Sequence, residues 1–85
     1  MTGMYRVVVD HPKLIDVWEF PDKRSAVRRF ECEVAFWKEV GWTHSGDVEE
    51  VRDAEVAYPD AVRLEVLEFG GVGCMVIALE EKGGN

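Results

Sequence analysis

The stretch DKRSAVRRFECEVAFWKEV, residues 22–40, is the only long run in the chain with a helical period, and its reading decides the fold. Asp22 suits an N-cap, because its carboxylate can accept from the free N–H groups of a first turn. Pro21 ends the segment before it, and Gly41 suits a left-handed position after the last turn. Between them about five turns span roughly 27 Å. Stepping by about 100° per residue puts Ala26, Val27, Phe30, Val34, Trp37 and Gly41 on one face, wide enough to cover a sheet. Cys32, Phe36 and Val40 fall on one flank. Phe36 is then either the edge of the protein's own core or the anchor of a dimer or partner contact.

The charges of this helix run against its dipole. Lys23, Arg24, Arg28 and Arg29 occupy the N-terminal half, and Glu31, Glu33 and Glu39 the C-terminal half. The macrodipole favours the reverse by about 0.3–1 kcal/mol per charge. Spacings of three and four residues let Arg28 meet Glu31 and Arg29 meet Glu33, while Arg24 and Arg28 repel one turn apart. Arg24, Arg28 and Arg29 therefore either pair with carboxylates elsewhere in the fold or form an anion-binding or dimer-contacting patch.

Outward from the helix, the segments are short and strand-like. MYRVVVD (4–10) sets Tyr5, Val7 and Val9 on one face and Arg6 and Val8 on the other. His11-Pro12-Lys13 is a turn, and LIDVWEF (14–20) returns antiparallel. After the helix, residues 41–46 mark a break with a short edge strand carrying Trp42. DVEEVRDAEVAYPD (47–60) is compatible with a helical turn, an extended segment or a loop laid on the sheet. AVRLEVLEF (61–69) alternates as a half-buried strand, Gly70-Gly71-Val72-Gly73 is a turn, and CMVIALE (74–80) is an apolar last strand. Residues 81–85 are expected to fray.

Two hairpins flanking one helix predict a single α+β domain over residues 1–85. Its sheet is four-stranded and mostly antiparallel, in the order β-β-α-β-β, with the long helix on one face. The second face, with Trp18, Phe20, Leu67, Phe69 and Met75 or Ile77 to hide, needs cover from residues 42–60 or from a second subunit in a homodimer.

Several functions find no support. A hydrophobic fraction of 47% with three Trp and four Phe belongs to a folded core. No apolar run reaches membrane-spanning length and the first nine residues lack a basic lead into an apolar stretch, so a cytoplasmic protein without membrane association is expected. The glycine turn lacks the Lys and Ser/Thr of a phosphate loop and precedes a strand. His11 beside Asp10 reads as a solvated turn histidine. His44 with Asp47, Glu49 and Glu50 reads as a solvated acidic loop, since a lone His with this oxygen spacing makes neither a zinc nor a calcium site. Cys32 and Cys74 lack CxxC spacing and a neighbouring base, and read as reduced thiols. No catalytic residue, cofactor or metal is expected.

Charge gives the positive indication. The net charge of −7 disfavours direct nucleic-acid binding. Residues 1–41 balance seven acids with seven bases, whereas residues 42–85 hold ten acids and three bases and carry the whole excess. Asp47, Glu49, Glu50, Asp53, Glu55 and Asp60 face Arg52 alone in their segment. The first reading is a non-catalytic protein-binding inhibitor or adaptor that engages a basic protein partner. Those six carboxylates would stand where phosphates lie, with Trp42 and Tyr58 as apolar anchors. In its size, its acidic run DVEEVRDAEV and its strand–strand–helix–strand–strand order, the chain resembles small accessory proteins of phages and mobile elements, such as anti-CRISPR inhibitors of bacterial immune systems. That resemblance implies a stoichiometric blocker without catalysis. The second reading is a small homodimeric α+β ligand-binding protein or enzyme. There Trp18, Phe20, Phe30 and Trp37 line a pocket between helix and sheet, and Arg28 or Arg29 meets an anionic group.

Overall fold

The structure, a computed structural model, describes residues 4–82. The chain runs β1 (Met4–His11), β2 (Leu14–Phe20), α1 (Lys23–Glu39), β3 (Thr43–His44), α2 (Val48–Ala57), β4 (Ala61–Phe69) and β5 (Gly73–Lys82). The α+β class and the antiparallel sheet agree with the sequence reading. The count does not: the sheet has five strands in the order β2-β1-β5-β4-β3, and there is a second helix. The hairpins β1–β2 and β4–β5 join edge to edge through β1 and β5, and two-residue β3 closes the far side.

Helix α1 forms as its sequence dictates. Asp22 accepts from the Ser25 N–H at 2.8 Å and from the Ser25 hydroxyl at 3.0 Å. At the other end Gly41 takes φ +120° and donates its N–H to the Lys38 carbonyl. A side chain there would be strained in φ, and its Cβ would sit 2.9 Å from Cε1 of Phe69. Ala26 and Phe30 point inward, and Val7, Val9, Leu67, Met75, Ile77 and Leu79 make the sheet side of the same core. The register explains this grouping, since Val7 pairs with Leu79 and Leu67 with Met75, so their side chains share a face. Trp18, Phe20, Val34 and Trp37 pack half-buried around it. Leu67, Met75 and Ile77 thus lie under α1, as do the half-buried Trp18 and Phe20, and not on the second face where the sequence reading left them.

Buried Val8, Val66 and Ala78 line the second face, and α2 covers its β4 side through buried Ala54. This helix corrects the open reading of residues 47–60. Asp47 caps it, its Oδ1 accepting from the N–H groups of Glu49 at 2.9 Å and Glu50 at 3.3 Å. Glu49 and Glu50 then sit in the first turn, where the dipole favours negative charge. On the same side of the sheet Arg6 Nε donates to Glu80 Oε1 at 2.9 Å. Strand β5 continues through Glu81 and Lys82, where Lys82 pairs with Met4 and its Nζ lies 2.9 Å from Asp60 Oδ2, so fraying does not begin at residue 81. The rest of the expected frayed tail, residues 83–85, lies outside the described residues. No helix among the described residues is long and apolar enough to cross a membrane.

Candidate functional site

Helix α2 sorts its side chains into two rows. The inward row is Glu50, Val51 and Ala54, continued by Tyr58, and specific polar contacts hold it. Glu50 Oε1 accepts from the Ser45 hydroxyl at 3.3 Å and from the Cys74 thiol at 2.6 Å. The Tyr58 hydroxyl donates to Asp10 Oδ2 at 2.6 Å. Burial, and after it this hydrogen bond to Asp10, pushes the Tyr58 phenol above its ordinary range. The outward row is Val48, Glu49, Arg52, Asp53, Glu55 and Val56, all exposed. Among the described residues no lysine, arginine or histidine lies within ion-pair distance of Glu49, Asp53 or Glu55.

The sequence-predicted surface is therefore only partly brought together. Asp47 is exposed but engaged as the α2 cap, and Glu50 is turned into the fold. Asp60 is held by Lys82, whose hydrogen bond and then charge keep its carboxyl below the usual range. Trp42 is no anchor. It is 4% exposed, stacked on Phe69 with ring centroids 5.6 Å apart, because the turn at Gly41 drives it under the sheet end. Tyr58 is likewise committed to Asp10. The exposed apolar groups flanking the free carboxylates are instead Val48 and Val56, 68% and 74% accessible. A groove of about 340 Å³ beside them is lined by Ser45, Gly46, Val48, Val51, Arg52 and Glu55.

On α1, Arg29 lies 3.0 Å from Glu33 as the spacing predicts, and its guanidinium sits 4.8 Å above the Trp18 ring. Arg28 does not meet Glu31, which Arg63 of β4 takes at 3.1 Å. Arg24 and Arg28 are exposed, and neither lies within ion-pair distance of a carboxylate among the described residues. Phe36 is 53% exposed, its ring edge-on to Trp37. The four residues expected to line one pocket are not brought together. The rings of His11, Phe36 and Trp42 crowd Trp37, and Phe30 lines an open groove of about 300 Å³ between α1 and β4 with Val34, Lys38, Arg63 and Glu65. Phe20, Arg28 and Arg29 line an open groove of about 290 Å³ on the α1 flank, with Ser25 and Cys32.

Two groupings escaped the sequence reading. His11 is not a solvated turn residue. Its ring lies 5.0 Å from Trp37 and 5.3 Å from Trp42, and its Nδ1 accepts from the Lys13 N–H. Donor atoms of Glu50, Glu68 and Cys74 lie within 4.8 Å of one another. They come from α2, β4 and β5, so no spacing in the sequence could have shown them together. Burial first, then the hydrogen bond to Glu50 and the charges of Glu50 and Glu68, push the Cys74 thiol up to about 11. Nucleophilic attack needs the thiolate, and this pocket favours the protonated thiol as a donor to Glu50. His44 Nδ1 lies 3.2 Å from Glu65 Oε1, across the β3–β4 edge and apart from the α2 carboxylates with which the sequence grouped it. Comparison with protein-family models, with curated proteins and with solved structures finds no match for the chain.

Proposed function

We propose that the protein is a non-catalytic protein-binding inhibitor or adaptor whose contact surface is the outward row of α2. The observation that carries this reading is that Glu49, Asp53 and Glu55 project from one short helix on which Arg52 is the one basic residue, with no cation within ion-pair distance among the described residues, beside exposed Val48 and Val56. Glu31, Glu33, Asp60 and Glu80, by contrast, are each held by a basic group of the fold. Unpaired, the three α2 carboxylates project a field over about 8–10 Å at physiological salt, which speeds encounter with a basic surface, while the valines slow release. A protein groove that normally holds nucleic acid has that complementary charge. In keeping with the sequence resemblance to phage accessory proteins, a nuclease or nucleic-acid-binding component of a bacterial defence system is the first partner to try.

The test pairs capture with charge reversal. A partner captured from cells at low salt is titrated with wild type and with Glu49→Lys/Asp53→Lys/Glu55→Lys at several salt concentrations, with and without competing DNA. The expected result is binding that weakens with salt, is displaced by DNA, and falls at least tenfold in the triple variant. Affinity and salt slope unchanged by the reversal would overturn the assignment.

A further inference from the structure

At the edge of the sheet remote from β3 and β4, and independently of the reading above, a second contact surface is present. Strand β2 pairs with β1 along one side, and its other side is the sheet's open edge. The two-residue link Pro12-Lys13 makes His11 and Leu14 the closing hydrogen-bonded pair. The alternation of an antiparallel ladder then turns the N–H and C=O groups of Ile15, Val17 and Glu19 outward. The opposite edge is interrupted: two-residue β3 covers Leu67 and Glu68 of β4, and the rest of β4 carries Arg63 and an irregularity between Ala61 and Arg63. Strand β2 has seven residues and contains neither proline, lysine nor a bulge; of the devices that keep edge strands from pairing it carries only the charges of Asp16 and Glu19, which a partner must therefore accommodate. Its Ile15 and Val17 are 63% and 51% exposed on the sheet face that α2 covers only at the β4 side.

We propose that β2 is a dimerisation strand: two copies of the chain pair antiparallel along residues 14–20 about a two-fold axis at Val17, fusing their sheets into one. Charge complementarity selects this occupant and this register. With the axis at Val17, all of β2 is paired, Leu14 lies opposite Phe20 of the second copy, and Asp16 lies opposite Trp18 of the second copy. The Trp18 ring carries the Arg29 guanidinium 4.8 Å above it, already paired with Glu33 at 3.0 Å, so each Asp16 arrives as a second carboxylate beside the other copy's Arg29, twice by symmetry. Leu14 reaches the groove that Phe20 shares with Arg28 and Arg29. Moving the axis to Asp16 sets two aspartates directly opposite each other, which destabilises. Moving it to Trp18 leaves Leu14 and Ile15 facing Asp22 and Pro21, beyond the strand. The dimer carries its two α2 surfaces away from the new interface, at the two outer ends of the fused sheet.

The experiment combines sedimentation equilibrium up to about 0.5 mM with amide exchange followed residue by residue. The expected result is a monomer–dimer equilibrium in which the amides of Ile15, Val17 and Glu19 slow at least tenfold as the dimer fills. Val17→Lys, whose side chain is exposed in the monomer, gives a folded monomer with unchanged circular dichroism in which those three amides exchange fast. Asp16→Arg raises the dissociation constant at least tenfold, and Asp16→Arg/Arg29→Asp restores it. A protein that stays monomeric at the highest concentration overturns the proposal. So does a dimer whose residues 15, 17 and 19 exchange at the monomer rate, because its interface is then elsewhere, on the Phe36 flank or on another chain surface. An Asp16→Arg variant that dimerises like wild type overturns the register.

Discussion

Glu80 offers the sharpest check on how the sheet is held together. Its side chain is 5% exposed at the end of the apolar run of β5, and Arg6 Nε donates to its Oε1 at 2.9 Å. Lys82 stands further off at 3.8 Å. Replacing Arg6 by Met keeps most of the side-chain volume and strands a buried carboxylate. Breaking a buried pair in this way costs about 3–5 kcal/mol when nothing else compensates. Lys82 and the partial exposure of Arg6 bring the expected loss below that range, to about 2–3 kcal/mol. A domain of this size has roughly 4–13 kcal/mol in total. The transition should therefore fall by about 10–20 °C, taking about 4–8 °C per kcal/mol. Arg6→Met/Glu80→Met removes both charges and should recover to within about 1 kcal/mol of wild type. Urea unfolding followed by tryptophan fluorescence, repeated at low and high salt, reads all three proteins. The reasoning is refuted if Arg6→Met is as stable as wild type, or if the double variant is as unstable as the single one. In either case the uncompensated Glu80 charge is not what Arg6 relieves.

The Asp22 cap predicts an acid-sensitive α1. Its hydrogen bonds to the Ser25 backbone and then hydroxyl hold the carboxyl below its ordinary value of 3.8, so the folded state has the lower pKa. The stabilisation is therefore full above that ordinary value and is lost as pH falls through the folded one; thermal melts from pH 7 to pH 2.5 should show a steeper acid limb in wild type than in Asp22→Asn. Gly41→Ala combines a strained φ with a Cβ 2.9 Å from Phe69, and should destabilise by about 1–3 kcal/mol in urea titrations, whereas Gly46→Ala, where nothing lies within 4 Å, should be near neutral. Cys74, raised to about 11, should resist iodoacetamide at pH 8 while exposed Cys32 reacts, and Glu50→Ala should speed Cys74 modification, read by peptide mass.

Helix α1 and the two hairpins were legible because local signals bound each element. Asp22, Phe30 and Gly41 mark the cap, the core face and the stop of the helix, and runs rich in valine and leucine between turn residues mark the strands at 4–10 and 61–69. Helix α2 was not, since its buried contribution is one alanine and two of its three valines are exposed. An apolar period cannot be read when the apolar residues point at solvent. The signal that was available is Asp47 followed by Glu49 and Glu50, a cap with carboxylates in the first turn. The candidate site suffered for the same reason. Without the helix, Glu50 and Glu49 are neighbours of equal standing, yet one is turned in to Cys74 and the other out. Trp42 and His11 were misplaced because each meets a ring distant in sequence, Phe69 for Trp42 and Trp37 for His11.

The two rows of α2 separate stability from binding. Inward, the helix is fixed by Ala54 packing and by directional bonds from Ser45, Cys74 and Tyr58, all on its buried side. Outward, Glu49, Asp53 and Glu55 contribute little to the fold. Reversing them to Lys should cost only the dipole penalty at Glu49, about 0.5 kcal/mol. It also changes the net charge from −7 to −1, which relieves self-repulsion in a compact chain. The triple reversal should therefore unfold within a few degrees of wild type while losing its partner. A reversal that instead melts α2 would mean these carboxylates were holding the helix in place, and the case for a surface kept free for another protein would go with it.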